Sequence, residues 1–219
     1  MGLAGTIAAK YLIERKKFKQ VGFIDSSIFV PVIRIHEGLP VYPSRVYINE
    51  SMKLAVLISE QIIPKSYTNA FADEIVEWIK KKKFKSVISL AGISTGEEEN
   101  NEVYGIGANE KSKEMLKKFK VKVIDDGITT GTTALILLKL RDLKIPAISI
   151  MGTVQLGADY KAAASLVEKL NEILGLKIEI KPLLEEAKET EEMLLKQMDE
   201  MKKTEKQLER REEYPPMIS

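Results

Sequence analysis

The feature that most constrains this chain is a rhythm that begins near residue 86. Near-continuous apolar runs, SVISLAG (86–92), VKVID (121–125) and AISIMG (147–152), alternate with amphipathic stretches around 110–119, 132–143 and 159–174. A strand that is apolar on both sides must be covered on both faces, and the intervening helices are the elements available to cover it. The pattern predicts an α/β fold, a βαβ sheet between helical layers.

The rest of the body can be read in the same terms. Ala4 to Lys17 predicts a helix, with Ile7, Ala8, Tyr11 and Leu12 at three- and four-residue spacing. VGFID (21–25) and IFVPVIRI (28–35) read as strands, the second edge-like or irregular because of Pro31, and HEGLPVYP (36–43) reads as turn. RVYIN (45–49) and KLAVLIS (53–59) form a strand pair around Glu50-Ser51-Met52. Tyr67 to Lys83 forms a helix with Phe71, Ile75, Trp78 and Ile79 on one stripe, and KIEIK (177–181) supplies a last strand. Gly2-Leu3-Ala4-Gly5 looks like a glycine turn that opens a helix, a turn that ordinarily follows a strand.

Charge divides the chain near residue 183. Leu183 to Glu213 lacks glycine and holds 11 acidic and 7 basic residues, so in a chain of net charge +2 the remainder carries about +6. Three units follow: an α/β body over 1–182, a long acidic C-terminal helix over 183–213, and a flexible Pro-containing tail over 214–219. On the helix, Leu184, Ala187, Leu194, Met198, Met201 and Leu208 recur at three- and four-residue steps, flanked by Leu183, Met193 and Leu195. Glu191 and Glu205 fall where a two-stranded coiled coil needs apolar residues, so the stripe belongs on the chain's own body or on a neighbouring subunit. Its length favours an oligomer interface formed by Leu184, Ala187, Leu194, Leu195, Met198, Met201 and Leu208. Pro215 and Pro216 then end the helix, leaving Tyr214, Met217 and Ile218 either as a frayed end or as a docking segment.

Composition removes several function classes. With no cysteine, disulfides, thiolate catalysis and Cys-ligated metals are excluded, and the single histidine, His36, excludes His-rich metal sites. No apolar run approaches the ~20 residues a membrane helix needs, and the N-terminus lacks the form of a signal peptide. A near-neutral chain is a poor nucleic-acid binder. These points make a cytoplasmic protein the default, and the weight of Lys and Glu fits a thermophilic source.

One motif could carry chemistry. VIDDGITTGTT (123–133) runs a strand into paired acids, hydroxyls and a glycine at a helix start. It resembles the ribose-phosphate loop of phosphoribosyltransferases, with Asp125 and Asp126 for ribose hydroxyls and Thr129, Thr130, Gly131, Thr132 and Thr133 for the phosphate. The same residues also suit a plain strand-to-helix turn, with caps from Asp and Thr. Weaker signals are the G-x-G of VYGIGAN (103–109), a partial dinucleotide pattern, and Glu97-Glu98-Glu99, which could gather a cation or simply face solvent. His36 reads as a surface turn residue.

Resemblance covers far more of the chain than that loop. GLAGTIAAKYLI (2–13), HEGLPVYPSRVY (36–47), VISLAGI (87–93), VYGIGANEKSKEMLKKF (103–119), DDGITTGTTALILL (125–138) and 157–189 together resemble, in order, the proteasome assembly chaperone 2 family. The resemblance implies a three-layer α/β/α sandwich, shaped like a nucleoside phosphorylase, with a strand leading into the glycine turn. It also implies an ATP-independent assembly chaperone with no catalytic site and no cofactor. Its expected partners are other copies of itself, in a ring of about four or five, and proteasome α-subunits or a paralogous chaperone subunit. Family members that dock on the proteasome often end in a hydrophobic residue, Tyr and any residue; here Tyr214 stands five residues from the end.

Overall fold

The apolar runs meet in a mixed sheet. In the computed structural model, which describes residues 4–61, 63–94, 102–154 and 160–185, strands β6 (Val87–Ile93), β9 (Ala147–Thr153), β7 (Val103–Gly107) and β8 (Lys122–Val123) lie in the order β6-β9-β7-β8. Strand β9 is central. It runs parallel to β6 from Val87↔Ala147 to Ile93↔Thr153 and antiparallel to β7 from Val103↔Gly152 to Gly107↔Ile148, while β7 and β8 are parallel. Burial on both sides explains why β9 is mostly apolar: Ile148 and Ile150 enter one core and Ala147 the other.

Upstream, β1 (Lys19–Phe23), β4 (Ser44–Asn49) and β5 (Leu54–Ser59) form an antiparallel sheet in the order β1-β4-β5. The β4–β5 turn is tight because the Asn49 side chain accepts from Ser51 Oγ (2.8 Å) and Met52 N (3.1 Å). A separate hairpin pairs β2 (Arg34–His36) with β3 (Leu39–Val41).

Helices cover both sides. On one side α1 (Ala4–Arg15), α3 (Glu110–Lys118) and α5 (Tyr160–Leu174) share a core that includes Ala8, Leu12, Leu116, Ile148, Ile150, Ala163, Leu166 and Val167. On the other, α2 (Thr68–Lys81) and α4 (Thr132–Asp142) enclose Phe71, Ile75, Ile79, Leu140 and Ala147. Helix α1 touches β5, β6 and β9, so it bridges the two larger sheets. Its seat is close: a Cβ on Gly5 would lie 2.3 Å from the Leu90 carbonyl oxygen of β6.

Two expectations need correction, and one weak signal resolves. The strand expected over 28–35 does not form; Pro31 removes a ladder donor, regular pairing starts only at Arg34, and the expected turn 36–43 supplies β3. No strand forms over 177–181 either, because its backbone groups are satisfied by side chains. Asn171 bonds both Ile178 N (3.0 Å) and Ile178 O (2.9 Å), and Tyr11 donates to Glu179 O (2.7 Å). The G-x-G segment, in turn, is the strand β7 and not a dinucleotide turn. A Cβ on Gly107 would lie 2.6 Å from Lys113 N, and one on Gly105 2.8 Å from Leu116 Cδ2, so both glycines let α3 settle onto the sheet. The start of α3, where a pyrophosphate would bind, is capped by Asn109, which accepts from Ser112 N.

The seat of α1 gives a stability test. Gly5→Ala forces α1 off β6 and is expected to cost about 2–3 kcal/mol. Gly22→Ala, whose Cβ meets nothing within 4 Å, is expected to change stability by less than about 1 kcal/mol. Urea unfolding of the two variants checks the contrast.

Candidate functional site

The acidic loop is anchored at its root and open beyond it. Ile124 N donates to Gly105 O (3.0 Å), which holds the segment after β8 against β7. Past this point the side chains turn to solvent: Asp125 is 87% exposed and 4.0 Å from Lys113 Nζ, Ile128 is 97% exposed, and Asp126, Thr129, Thr130, Gly131 and Thr133 are exposed as well. Gly131 caps α4 with φ 93°, a conformation that L side chains rarely adopt, and no side chain caps the helix. The structure thus brings Asp125, Asp126, Thr129, Thr130, Gly131, Thr132 and Thr133 onto one loop before a helix with free N–H groups. In water a charge pair at 4 Å gives only ~1 kcal/mol, so the Lys113–Asp125 contact adds little to holding the loop. His36 is exposed in β2, opposite Leu39. Glu97, Glu98 and Glu99 lie outside the described residues. Among those described, no three His, Cys, Asp or Glu side chains gather to hold a metal, and no helix is long and apolar enough to cross a membrane.

The C-terminal stripe begins at a division of labour. After the irregular 176–180 segment the chain turns helical at 181–185. Leu183 is 1% exposed and packs in the α1/α5 core, whereas its neighbour Leu184 is 38% exposed. A step of about 100° around a helix separates adjacent side chains, so one leucine ties the segment to the body and the next faces away. Ala187, Leu194, Leu195, Met198, Met201, Leu208, Tyr214, Pro215, Pro216, Met217 and Ile218 lie outside the described residues.

Sequence reasoning did not find one broad groove. Between α2 and one face of the β1-β4-β5 sheet is a groove of about 1150 Å³, with Val46, Ile48 and Ala55 on the sheet and Phe71, Ile75 and Trp78 on the helix. Beside it Phe23 stacks on Tyr42 with ring centroids 3.8 Å apart, and Ile33, Ile35 and Leu39 of the hairpin region are exposed. The signal was present in the apolar residues of 21–48, but strand alternation does not say which face a helix will cover. The hairpin is tied down by charge. Arg45, 5% exposed, donates to Tyr42 O (3.1 Å) and Glu60 Oε2 (3.2 Å), and Arg34 bonds the other Glu60 oxygen.

At the edge of the mixed sheet, Glu102 Oε2 accepts from Lys122 Nζ (3.0 Å) and Tyr104 OH (2.8 Å). These bonds, Lys122 first, hold the carboxyl below its ordinary value, and the Glu102 bond likewise raises Lys122. A depressed carboxyl contributes stability that is present above its unfolded pKa of ~4.3 and lost as pH falls through the folded value. Lys122→Gln is expected to move the Glu102 titration, followed by carboxyl NMR, back up toward the ordinary carboxylate range.

Comparison with known proteins places these features. The PAC2 family model matches residues 1–198, and the chain belongs to that family. An uncharacterized protein of Methanocaldococcus jannaschii is 32% identical over 99% of this chain and 89% of its own length. The crystal structure of Pyrococcus furiosus PbaA, described as an archaeal homolog of proteasome-assembly chaperone, superposes with a TM-score of 0.83 at 33% identity, covering 97% of this chain and 89% of PbaA. Pyrococcus furiosus PbaB, described as an archaeal proteasome activator, shares the fold at a TM-score of 0.75 and 24% identity, covering 90% of this chain and 88% of its own.

Proposed function

We propose that this PAC2-family chain is an ATP-independent, non-enzymatic proteasome-assembly factor of the cytoplasm. It acts as a homo-oligomeric scaffold that binds proteasome α-subunits or a paralogous chaperone subunit. The observation that carries the reading is the 33% identity to PbaA over 97% of the chain, at a TM-score of 0.83. Physical support comes from the surface. Exposed apolar side chains on both faces of the hairpin region, Ile33 and Ile35 on one and Leu39 on the other, suit a protein whose task is contact with other proteins.

In this reading the body over 1–182 is followed by an acidic helix over 183–213. That helix makes the subunit contacts through Leu184, Ala187, Leu194, Leu195, Met198, Met201 and Leu208, and Tyr214, Pro215, Pro216, Met217 and Ile218 form a docking segment. The exposure of Leu184 beside the buried Leu183 favours an outward-facing stripe. Each fully covered Leu or Met contributes about 1.5–3 kcal/mol of transfer free energy. Removal of residues 186–219 is therefore expected to leave a folded body of lower oligomeric mass by native mass spectrometry. An unchanged mass would assign the subunit contact to the body. Mixing the full chain with proteasome α-subunits is expected to produce a joint complex in the same measurement.

The uncapped start of α4 behind Asp125 and Asp126 favours a second reading, a phosphoribosyltransferase-type enzyme that binds a ribose phosphate on the 123–133 loop. The assembly reading expects no calorimetric binding of phosphoribosyl pyrophosphate with magnesium at millimolar concentration. Saturable binding that Asp125→Asn abolishes would establish the enzyme instead.

A further inference from the structure

We propose that the C-terminal ends of α2 and α4, brought together by the mixed sheet, form a basic docking face for an acidic segment of a partner protein. This goes beyond the assembly role and stands on charge and topology alone.

Two equivalent chain reversals build the face. Helix α2 closes with Lys83 N donating to Lys80 O (2.9 Å) and Phe84 N to Ile79 O (3.2 Å). Helix α4 closes in the same way, with Lys144 N donating to Arg141 O (2.9 Å) and Ile145 N to Leu140 O (3.0 Å). The residue that follows each reversal, Phe84 or Ile145, is apolar and packs against the α2/α4 core. That inward turn leaves the lysines outside, and Lys81, Lys82, Lys83, Lys85 and Lys144 are all exposed. The reversals then feed neighbouring parallel strands: Val87 of β6 pairs with Ala147 of β9, and Val87 N donates to Pro146 O (3.0 Å). Adjacent strands lie ~4.8 Å apart, so Lys85 and Lys144, just upstream of this pair, share one edge of the molecule.

The acids at this edge are already engaged. Glu77 pairs with Lys80 (2.6 Å), Asp73 with Lys139 (2.7 Å) and Asp142 with Arg141 (2.9 Å). Across β9, Glu110 and Lys111 offset each other at the start of α3. Lys81, Lys82, Lys83, Lys85 and Lys144 have no ionic partner among the described residues. Helix dipoles explain only part of this surplus. Their pull on cations fades beyond the last turn, whereas Lys83, Lys85 and Lys144 follow the ends of their helices. Like charges gathered within about a Debye length, ~8 Å, repel one another, and an anionic partner relieves that repulsion.

Residue types select a carboxylate-bearing protein over a nucleic acid. Phosphate recognition favours the guanidinium fork, and the arginine of this face, Arg141, is held by Asp142 through two nitrogens. Base stacking needs exposed rings, whereas Trp78 and Phe84 are half-buried with centroids 4.9 Å apart. Leu143, 42% exposed beside Lys144, offers an apolar contact instead. Lys82 extends the face to the groove that Trp78 and Phe84 line. An acidic segment with interspersed apolar residues matches both features.

The probe is a fluorescein-labelled peptide of four Glu-Glu-Leu repeats, titrated with the full chain at low salt and followed by anisotropy. Lys83→Gln/Lys85→Gln/Lys144→Gln is compared with Lys117→Gln/Lys118→Gln/Lys120→Gln, which removes the same charge from exposed positions at the end of α3. Both sets include a turn lysine with positive φ, and circular dichroism melting serves as the folding control. The expected result is saturable binding that the first set weakens about tenfold or more and the second less than about twofold. Added salt should weaken the wild type more steeply than the first variant. Should that variant melt early, Lys85→Gln, outside both turns, carries the comparison against Lys118→Gln. Absence of saturable binding would overturn the proposal, and so would equal weakening by the two sets. An oligonucleotide of matched charge that binds more tightly than the peptide, and loses that binding in the first variant, would make the face a nucleic-acid site and refute the protein partner.

Discussion

The seat of α1 is the contact on which the rest of the structure depends. Ala4, Gly5, Ala8 and Ala9 form a face with almost no side-chain bulk, and all four are buried. Their smallness lets the helix backbone approach the Leu90 carbonyl of β6 so closely that a single methyl group at residue 5 would collide with it. Helix α5 answers with Ala162, Ala163 and Ala164, also buried, so the two helices can pack side by side over the sheet. Because α1 also touches β5, its seat joins the mixed sheet to the antiparallel one. It further gives the last described segment its anchor, through Tyr11 and Glu179. A bulky residue on this face would loosen both sheets and the 176–185 segment together.

From that join comes an unequal distribution of cover. The β6–β9 pair lies between two helical layers, whereas among the described residues α1 covers one face of the β1-β4-β5 sheet and α2 covers the other in part. Its other face is left with a groove, and its end carries a hairpin with exposed isoleucine and leucine. Exposed apolar surface is the more prominent surface feature among the described residues, which gather no cluster of metal-binding side chains. The hairpin is nevertheless held firmly. Arg45 is nearly excluded from water, and Glu60 neutralises it while also holding Arg34; removing the carboxylate would strand a buried cation. The surface is open to solvent, and its base is held by these ion pairs.

Two glycine-bearing segments show how similar local sequence reaches different ends. In VYGIG the glycines are close-packing positions inside a strand, each facing α3. In GITTGTT, Gly131 serves a turn, with a positive φ that sets the start of α4. Local pattern alone could not separate these cases, because a glycine records only that a side chain is absent. Whether that absence admits a helix, a phosphate or a turn depends on the neighbours the fold supplies.

Periodicity in the sequence was sufficient for the α/β class, for α1, α2, α4 and α5 within a few residues, and for β4, β5, β6 and β9, because the pattern of burial is written into those segments directly. The contrast between Leu183 and Leu184 was half legible: apolar spacing marked both, but the seat of Leu183 in the core did not show. Only the tertiary structure decided that β7 enters the sheet antiparallel beside β9, that 177–181 is pinned by Asn171 and Tyr11 and forms no strand, and that α2 leaves Val46, Ile48 and Ala55 uncovered. The reason is the same in each case. A segment's own spacing states which side chains must leave water, whereas the identity of what covers them depends on contacts between residues far apart in the chain.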